Sequence, residues 1–457
     1  MKLAAIQIVL AVVVCGLLVC AAAAAPGADS FTKEWQVRFP RAQMLATWEK
    51  LKKLEIPGVP VDMRFKITGQ EFYVSPSGDD SAAGTKDKPW KTLKMACSQM
   101  KPNTVVYLMA GTYYGPESVT VKATAEAPAA LRAVEGSEVI LTYSPQWIAQ
   151  RKAELGKPPA GKSVEGAVDP NGQSLHYEAP ITLVGAYTEI SGMHIIGVRD
   201  QLPHNLFTED GVTLSGGCGN RVLYNEVENV GHCGIKAMDH GEKGYLIEGN
   251  YLHDLGHTGH DHGIYCPSDD GVIRKNLITN STGYGVHAYE APKRIIITHN
   301  IIAGHADAGI VLGGPDAIVA NNVLWKNNMC GVFFFRAGCT NAKVVNNIFA
   351  EPKGAFMIDN DPSANFADYN CLTPDTPQGT DKPAVYTFGR HNLKADPHWA
   401  NAAIFDLRLG FRSPCVEAGD PTVGMYYGRA PDIGLQKSGK PPTKGQPITL
   451  PDAVRDR

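Results

Sequence analysis

Seven asparagines recur at nearly constant intervals through the second half of the chain, and that rhythm restricts the possible folds more than any other feature. They are Asn225, Asn250, Asn276, Asn300, Asn322, Asn347 and Asn370, at steps of 25, 26, 24, 22, 25 and 23 residues. A repeat of this length describes a stacked, quasi-one-dimensional array. In each unit an alternating stretch such as Ile295-Ile296-Ile297-Thr298-His299 precedes the asparagine and an apolar pair follows it. Gly-Ile or Gly-Val then opens another strand at Gly234, Gly263, Gly285, Gly309 and Gly331. Period-two β-branched residues cut every few positions by Asn or Gly spell short strands and tight turns. The expected fold is therefore all-β: a parallel β-helix, a solenoid with three short strands per coil of 22 to 26 residues. Stacked coils place equivalent side chains about 4.8 Å apart, so the asparagines are expected to form an internal hydrogen-bonded ladder with a purely structural role.

The flanking segments are read around that stack. Glu71 to Pro76 reads as a strand, Pro89 to Met100 as a short helix with Trp90, Leu93, Ala96 and Met100 on one side, and Val105 to Leu108 as the next strand. An open solenoid end exposes unpaired backbone, so this helix is expected to cap the first coil. Arg41 to Leu54 is a second amphipathic helix, with Leu45, Trp48, Leu51 and Leu54 on one stripe. At the amino terminus Lys2 leads an apolar run from Leu3 to Val19 that ends in alanines, the pattern of a cleavable export signal. The expected organisation is a signal peptide at 1–25, an N-terminal extension at 26–68, the β-helix at 69–435 with an insertion at about 144–180, and a tail at 436–457.

Eight cysteines lie beyond the signal: Cys97, Cys218, Cys233, Cys266, Cys330, Cys339, Cys371 and Cys415. Their spacing forms neither a close CxxC pair nor a dense framework, which leaves buried thiols and disulfides both open. A formal net charge of −3 argues against a general nucleic-acid binder. No second apolar stretch approaches membrane-spanning length, so the mature chain is expected to be secreted, without a membrane span, and monomeric.

The run YVSPSGDD, GTKDKPWKTL and VVYLMAGTYYG between Tyr73 and Gly115 resembles the opening of pectin-lyase-like right-handed β-helix proteins. The segments DPHW, FDLRLGFRSPCVEAGDP and PDIGL between Asp396 and Leu435 are similar to the closing part of the same group. The resemblance implies a right-handed helix and a carbohydrate substrate. It does not choose among the lyases, glycoside hydrolases, epimerases and inactive adhesins that share this fold.

Chemistry is argued from the residues. Nine of the fourteen histidines lie between His232 and His305. The step from ladder asparagine to strand glycine is nine residues at Asn225, Asn276, Asn300 and Asn322, but thirteen at Asn250. The additional residues fall within His253 to His262, so the turn is enlarged where the chain is most polar, and a solenoid accommodates an insertion only by pushing it outward. If Ile235, Ile264, Val286, Ile310 and Val332 point inward, then Lys236, Tyr265, His287, Val311 and Phe333 point outward in one column. Tyr289 faces out two positions after His287, Glu290 stands at the bend, and Arg336 lies two coils further on.

That column suits β-elimination on a uronate. Removing a weakly acidic C5 proton requires a base, neutralisation of the adjacent carboxylate and a proton for the departing oxygen. Lys236 or His287 is the expected base, Tyr265 the proton donor or, beside a cation, a base, and Arg336 or a bound cation the neutralising charge. His260, Asp261, His262, Tyr289, Glu290 and Phe333 are expected to line the substrate site. Calcium is the first cofactor expectation, with Asp269-Asp270 and Asp79-Asp80 as candidate oxygen ligands. A transition metal ranks below it, with His257, His260, Asp261 and His262 converging on His287. The implied partner is an acidic polysaccharide. Hydrolysis by paired carboxylates, Asp261 with Glu290 or Asp307, is a second reading. A uronan epimerase and a non-catalytic carbohydrate-binding or cell-surface β-helix protein are further alternatives.

Overall fold

The computed structural model describes residues 36–56, 58–154, 177–202, 208–237, 243–359, 363–380, 386–410, 412–423, 426–427, 430–435 and 442–443. The segment 1–25, read as an export signal, lies outside them, as does the tail at 436–457 apart from the two-residue strand Pro442–Thr443. The period-two segments wind into a right-handed parallel β-helix with three long sheets. The first has twelve strands, from Gln70–Val74 to Tyr386–Phe388, and the second has eleven, from Gly111–Gly115 to Leu393–Lys394. The third has nine, from Glu117–Lys122 to Phe356–Ile358. Most strands in the middle coils are three residues long, which is what Asn and Gly at each corner permit.

The interior is filled by the inward residue of each short strand. Ile235, Ile264, Val286, Ile310 and Val332 are all fully buried, as expected, in one apolar column that runs the length of the coil. Each such side chain contributes about 1.5–3 kcal/mol when taken out of water. The asparagine ladder stands at a corner of this core. The backbone N–H of Asn250 donates to Oδ1 of Asn276 at 2.9 Å and its Nδ2 donates to the same oxygen at 3.0 Å. The pattern repeats from Asn225 through Asn370 and continues one step further, to Asn392. A second polar file, not anticipated from the sequence, runs Ser281, His305, Asn327, Glu351 and Thr376, each bonded to the next coil through a backbone N–H.

The flanks differ from expectation in detail. The capping helix is shorter, Leu93–Gln99, because Thr92 accepts from Met95 N–H and so fixes the start. Asp80, considered as a calcium ligand, instead bonds Thr92 and the backbone of Lys91 and Thr92, and Asp79 caps the turn at Ser81. Trp90, Leu93, Ala96 and Met100 are buried over the first coil as predicted. The first helix spans Arg41–Lys52; Trp48, Leu51 and Leu54 of the stripe read in the sequence are buried, Leu45 is partly covered, and Met44 and Thr47 widen the buried face. The insertion contributes the helix Pro145–Glu154 and the short strand Tyr177–Glu178. The eight cysteines from Cys97 to Cys415 are free thiols, and seven are buried. Among the described residues no helix is long and apolar enough to cross a membrane.

The extension decides which face of the solenoid remains open. Val37 and the first helix lie on the outer face of the second sheet, against Tyr251, Leu277, Ile301 and Val323, with Trp48 Nε1 donating to Gly249 O at 2.7 Å. Met63 then covers Leu223, Leu246, Val272 and Ile296 on the first sheet, and Phe65 N–H donates to Glu189. Two of three faces are thus strapped by the chain's own N-terminal segment, and the third sheet carries the outward column.

Candidate active site

Strand register on the third sheet puts Lys236 beside Tyr265, Tyr265 beside His287, His287 beside Val311 and Val311 beside Phe333. The outward column is therefore as read from the sequence, but it is less open than expected. Lys236, His287 and Phe333 retain only 8%, 9% and 8% of their surface, and Tyr265 is half-buried. The cover comes from the position just before each strand glycine, which forms a parallel column of Asp210, Cys233, His262, Tyr284, Ala308 and Cys330. Reading that offset in the sequence would have revealed Asp210 and Tyr284, which were missed.

The enlarged turn between Leu255 and His262 folds around Asp261. Its Oδ2 accepts from the backbone N–H groups of His257 and Thr258 and from the Thr258 hydroxyl, at 2.7, 2.5 and 2.9 Å. Gly256 starts the turn at φ 82°, where a Cβ would meet Thr282 Oγ1 at 2.3 Å and Asp261 Cβ at 2.4 Å. Thr282 Oγ1 donates to Thr258 O at 2.6 Å and ties the turn to the next coil. His253 belongs to the preceding strand, Tyr251–Leu255, so the extra residues begin at Gly256.

Within the column, hydrogen bonds fix protonation. Tyr284 N–H donates to His262 Nδ1 at 3.1 Å, which leaves the proton of a neutral His262 on Nε2. That proton goes to His287 Nδ1 at 2.9 Å, so the His287 proton sits on Nε2. Both rings stay neutral: burial, then His260 and Arg336, pulls the His287 pKa down to about 3, and burial, then His287, holds His262 well below its ordinary value. Burial, then the Glu290 charge, raises the Tyr265 phenol, so Tyr265 remains protonated and is not a phenolate base. Asp210 is the opposite case: burial alone would raise it, but Lys236 and then His232 hold it below the usual carboxylate range. His232 Nδ1 lies 2.6 Å from Asp210 Oδ1, and its Nε2 lies 3.8 Å from Asp261 Oδ1.

The aromatic residues form one connected patch. His287 lies 5.5 Å from Tyr265 and 4.8 Å from Tyr289, centroid to centroid. Arg336 bonds the Tyr289 hydroxyl and stacks 4.6 Å above its ring, so it joins the column from two coils away. Phe333 packs with Ala308, Val311 and Cys330, while Glu290 and His260 are exposed at the edges. Asp307 stands beside Gly259 with its carboxyl pushed up to about 6 by burial.

The proposed metal ligands do not come together. Asp270 pairs with Arg294 at 2.6 Å and Asp269 accepts from Lys293 N–H at 2.8 Å, at a different corner from His257 and Asp261. Among the described residues, ligand atoms do converge within 4.8 Å in Asp210, His232 and Cys233, and in two overlapping groups on the second sheet.

A family model described as the right handed beta helix region matches residues 244–374, and one described as a protein of unknown function (DUF1565) matches residues 76–264. The crystal structure of pectate lyase Pel9A superimposes with a TM-score of 0.52 over 82% of this chain and 98% of that one, at 14% identity. The chain has the right-handed parallel β-helix fold. A solved structure titled glycoside hydrolase shares the β-helix to a similar degree, with a TM-score of 0.51, 11% identity and coverage of 75% and 99%. Pectate lyase PEL9 of Emericella nidulans is 40% identical over 77 residues, 16% of this chain and 19% of that protein's length. The uncharacterized protein YwoF of Bacillus subtilis is 23% identical over 436 residues, covering 76% of this chain and 92% of its own. At these identities the solved structures establish the fold alone.

Proposed function

We propose that this protein is an exported polysaccharide lyase that cleaves a uronate-containing glycan by β-elimination. The observation that carries the reading is the placement of Lys236, Tyr265 and His287 on adjacent rungs of the one face the extension leaves open. Because Nδ1 of His287 is occupied and Nε2 carries a proton, His287 serves as a donor and Lys236 is the residue assigned to take the C5 proton. The C5–H electrons form the C4=C5 double bond as the C4–O bond breaks, and Tyr265, held protonated, delivers its proton to the leaving oxygen. Arg336, anchored on Tyr289, neutralises the uronate carboxylate. The residues considered for calcium form no common site, so no step is assigned to that ion.

The test is the ultraviolet absorbance of unsaturated uronate during incubation with pectate, alginate, glycosaminoglycan and ulvan, beside a reducing-end assay. Absorbance should rise on one of these glycans and fall at least a hundredfold in Tyr265→Phe. Reducing ends without unsaturation would instead support hydrolysis. The raised carboxyl of Asp307 favours that second reading, since burial is how a general acid is kept protonated. Silence in both assays would turn the reading toward a carbohydrate-binding protein.

A further inference from the structure

On the second sheet, away from the proposed catalytic column, four side chains from three consecutive coils meet. His194 stands in register with Glu226, and Glu228 with His253. Nε2 of His194 is 2.7 Å from Glu228 Oε1 and 3.9 Å from Glu226 Oε2. Nε2 of His253 is 3.2 Å from Glu226 Oε1 and 3.6 Å from Glu228 Oε2. Nε2 of each imidazole therefore faces both carboxylates, His194 and His253 through opposite oxygens of each; His194, Glu226 and Glu228 offer ligand atoms within 4.8 Å of one another, and His253 closes on the same two carboxylates.

We infer that His194, Glu226, Glu228 and His253 form a zinc-type transition-metal site. Two nitrogens and two carboxylate oxygens suit zinc, whereas calcium takes six to eight oxygens and no imidazole. The outer shell has the matching form: Nδ1 of His253 lies 2.7 Å from Asp254 Oδ2, which leaves Nε2 toward Glu226 and Glu228. Asp254 reaches its own neighbour because its backbone is left-handed, φ 54°, an arrangement the paired strand mirrors at Asn229, φ 57°. Glu226 and His253 are buried, while Glu228 and His194 keep 24% and 18% of their side-chain surface, so an ion has a way in. Arg41, 2.5 Å from Glu226 Oε1, is the first residue of the helix that straps this face. The site thus links three coils to the start of that helix.

The experiment uses the purified full chain, stripped with EDTA and dialysed against zinc chloride, with bound zinc counted by elemental analysis. Cobalt substitution is followed through its visible d–d bands, which are intense only for a tetrahedral site. One zinc per chain and a tetrahedral cobalt spectrum are expected, with affinity reduced at least tenfold in His194→Gln and in Glu228→Gln, whose partly exposed positions spare the core. His232→Asn, which dismantles the Asp210, His232 and Cys233 group, should retain both signals. The inference is overturned if the unaltered chain holds no zinc, in which case the cluster is an imidazolium–carboxylate network. It is equally overturned if binding survives in both variants, or if it disappears in His232→Asn alone. Circular dichroism of each variant separates lost ligation from lost fold.

Discussion

His305 shows how one side chain can do a ladder asparagine's work and add a titration. Its Nδ1 accepts from Ser281 N–H at 3.2 Å and its Nε2 donates to Ile278 O at 3.1 Å, much as Asn327 one coil later donates from Nδ2 to Ile302 O at 3.2 Å. Burial pulls its pKa down to about 3, and His299 is held down to about 3 in the same way, with Lys275 and Arg274 assisting. A histidine depressed in the folded state binds its proton only in the unfolded chain between pH ~6.5 and ~3. Stability is therefore complete above that window and falls through it, by up to about 1.4 kcal/mol per pH unit for each such ring. His305→Asn keeps a comparable acceptor and donor and removes the titration. Melting temperature measured from pH 7 to pH 4 should fall less steeply in the variant, and an unchanged slope would show that His305 does not sense acid. At this scale the sequence was partly legible. Period two fixed the direction of Lys236, Tyr265 and His287, because a one-residue slip would have turned every buried isoleucine outward. It could not show that His262 takes up one nitrogen of His287, nor that Arg336 reaches Tyr289, since both depend on corner geometry rather than on alternation.

At the scale of elements, the enlarged turn after Asn250 was visible as a count of thirteen residues where neighbours have nine. What the count left hidden was the turn's internal order. His257, Asp261 and His262 are close in sequence, yet Asp261 spends Oδ2 on the turn itself while His262 sits inside it on the sheet. Gly256 is the residue on which that order depends. Gly256→Ala would bring a Cβ to within 2.4 Å of Asp261 at a left-handed backbone position, so the turn must shift. The expected cost is about 1–3 kcal/mol in urea unfolding, together with a loss of activity on whichever glycan the wild type attacks. A variant of full activity would place the turn outside the substrate path. The last ladder member, Asn392, was passed over for a related reason: the residues after it are Leu393-Lys394 rather than an apolar pair, so the repeat weakens in composition before it ends in hydrogen bonding.

Taken as a whole molecule, the β-helix is asymmetric because of what its N-terminal segment covers. The outer faces of the first and second sheets carry apolar residues such as Leu246, Val272, Leu277 and Ile301, which Met63 and the first helix remove from water. The sequence showed an amphipathic helix there but not its destination, since a stripe of apolar residues does not say which surface it meets. Trp48 is the central contact, packed near Tyr251 at 6.0 Å, with its indole N–H on Gly249. Trp48→Ala should cost about 3–5 kcal/mol and raise binding of a hydrophobic dye as the second sheet is uncovered; a stable variant that binds no dye would mean the strap is dispensable. The same helix also reaches the far end of the chain. Thr47 donates to Phe405 O at 3.0 Å and Lys50 pairs with Asp406 at 2.8 Å, contacts between residues more than 350 positions apart. Mechanically this is a clasp on a coil spring. Pulled by its two ends, the molecule should rupture first at the clasp and only afterwards unwind turn by turn, each turn releasing roughly 80 Å of extended chain, so resistance to shear resides in a few contacts between the first helix and the last strands rather than in the winding itself.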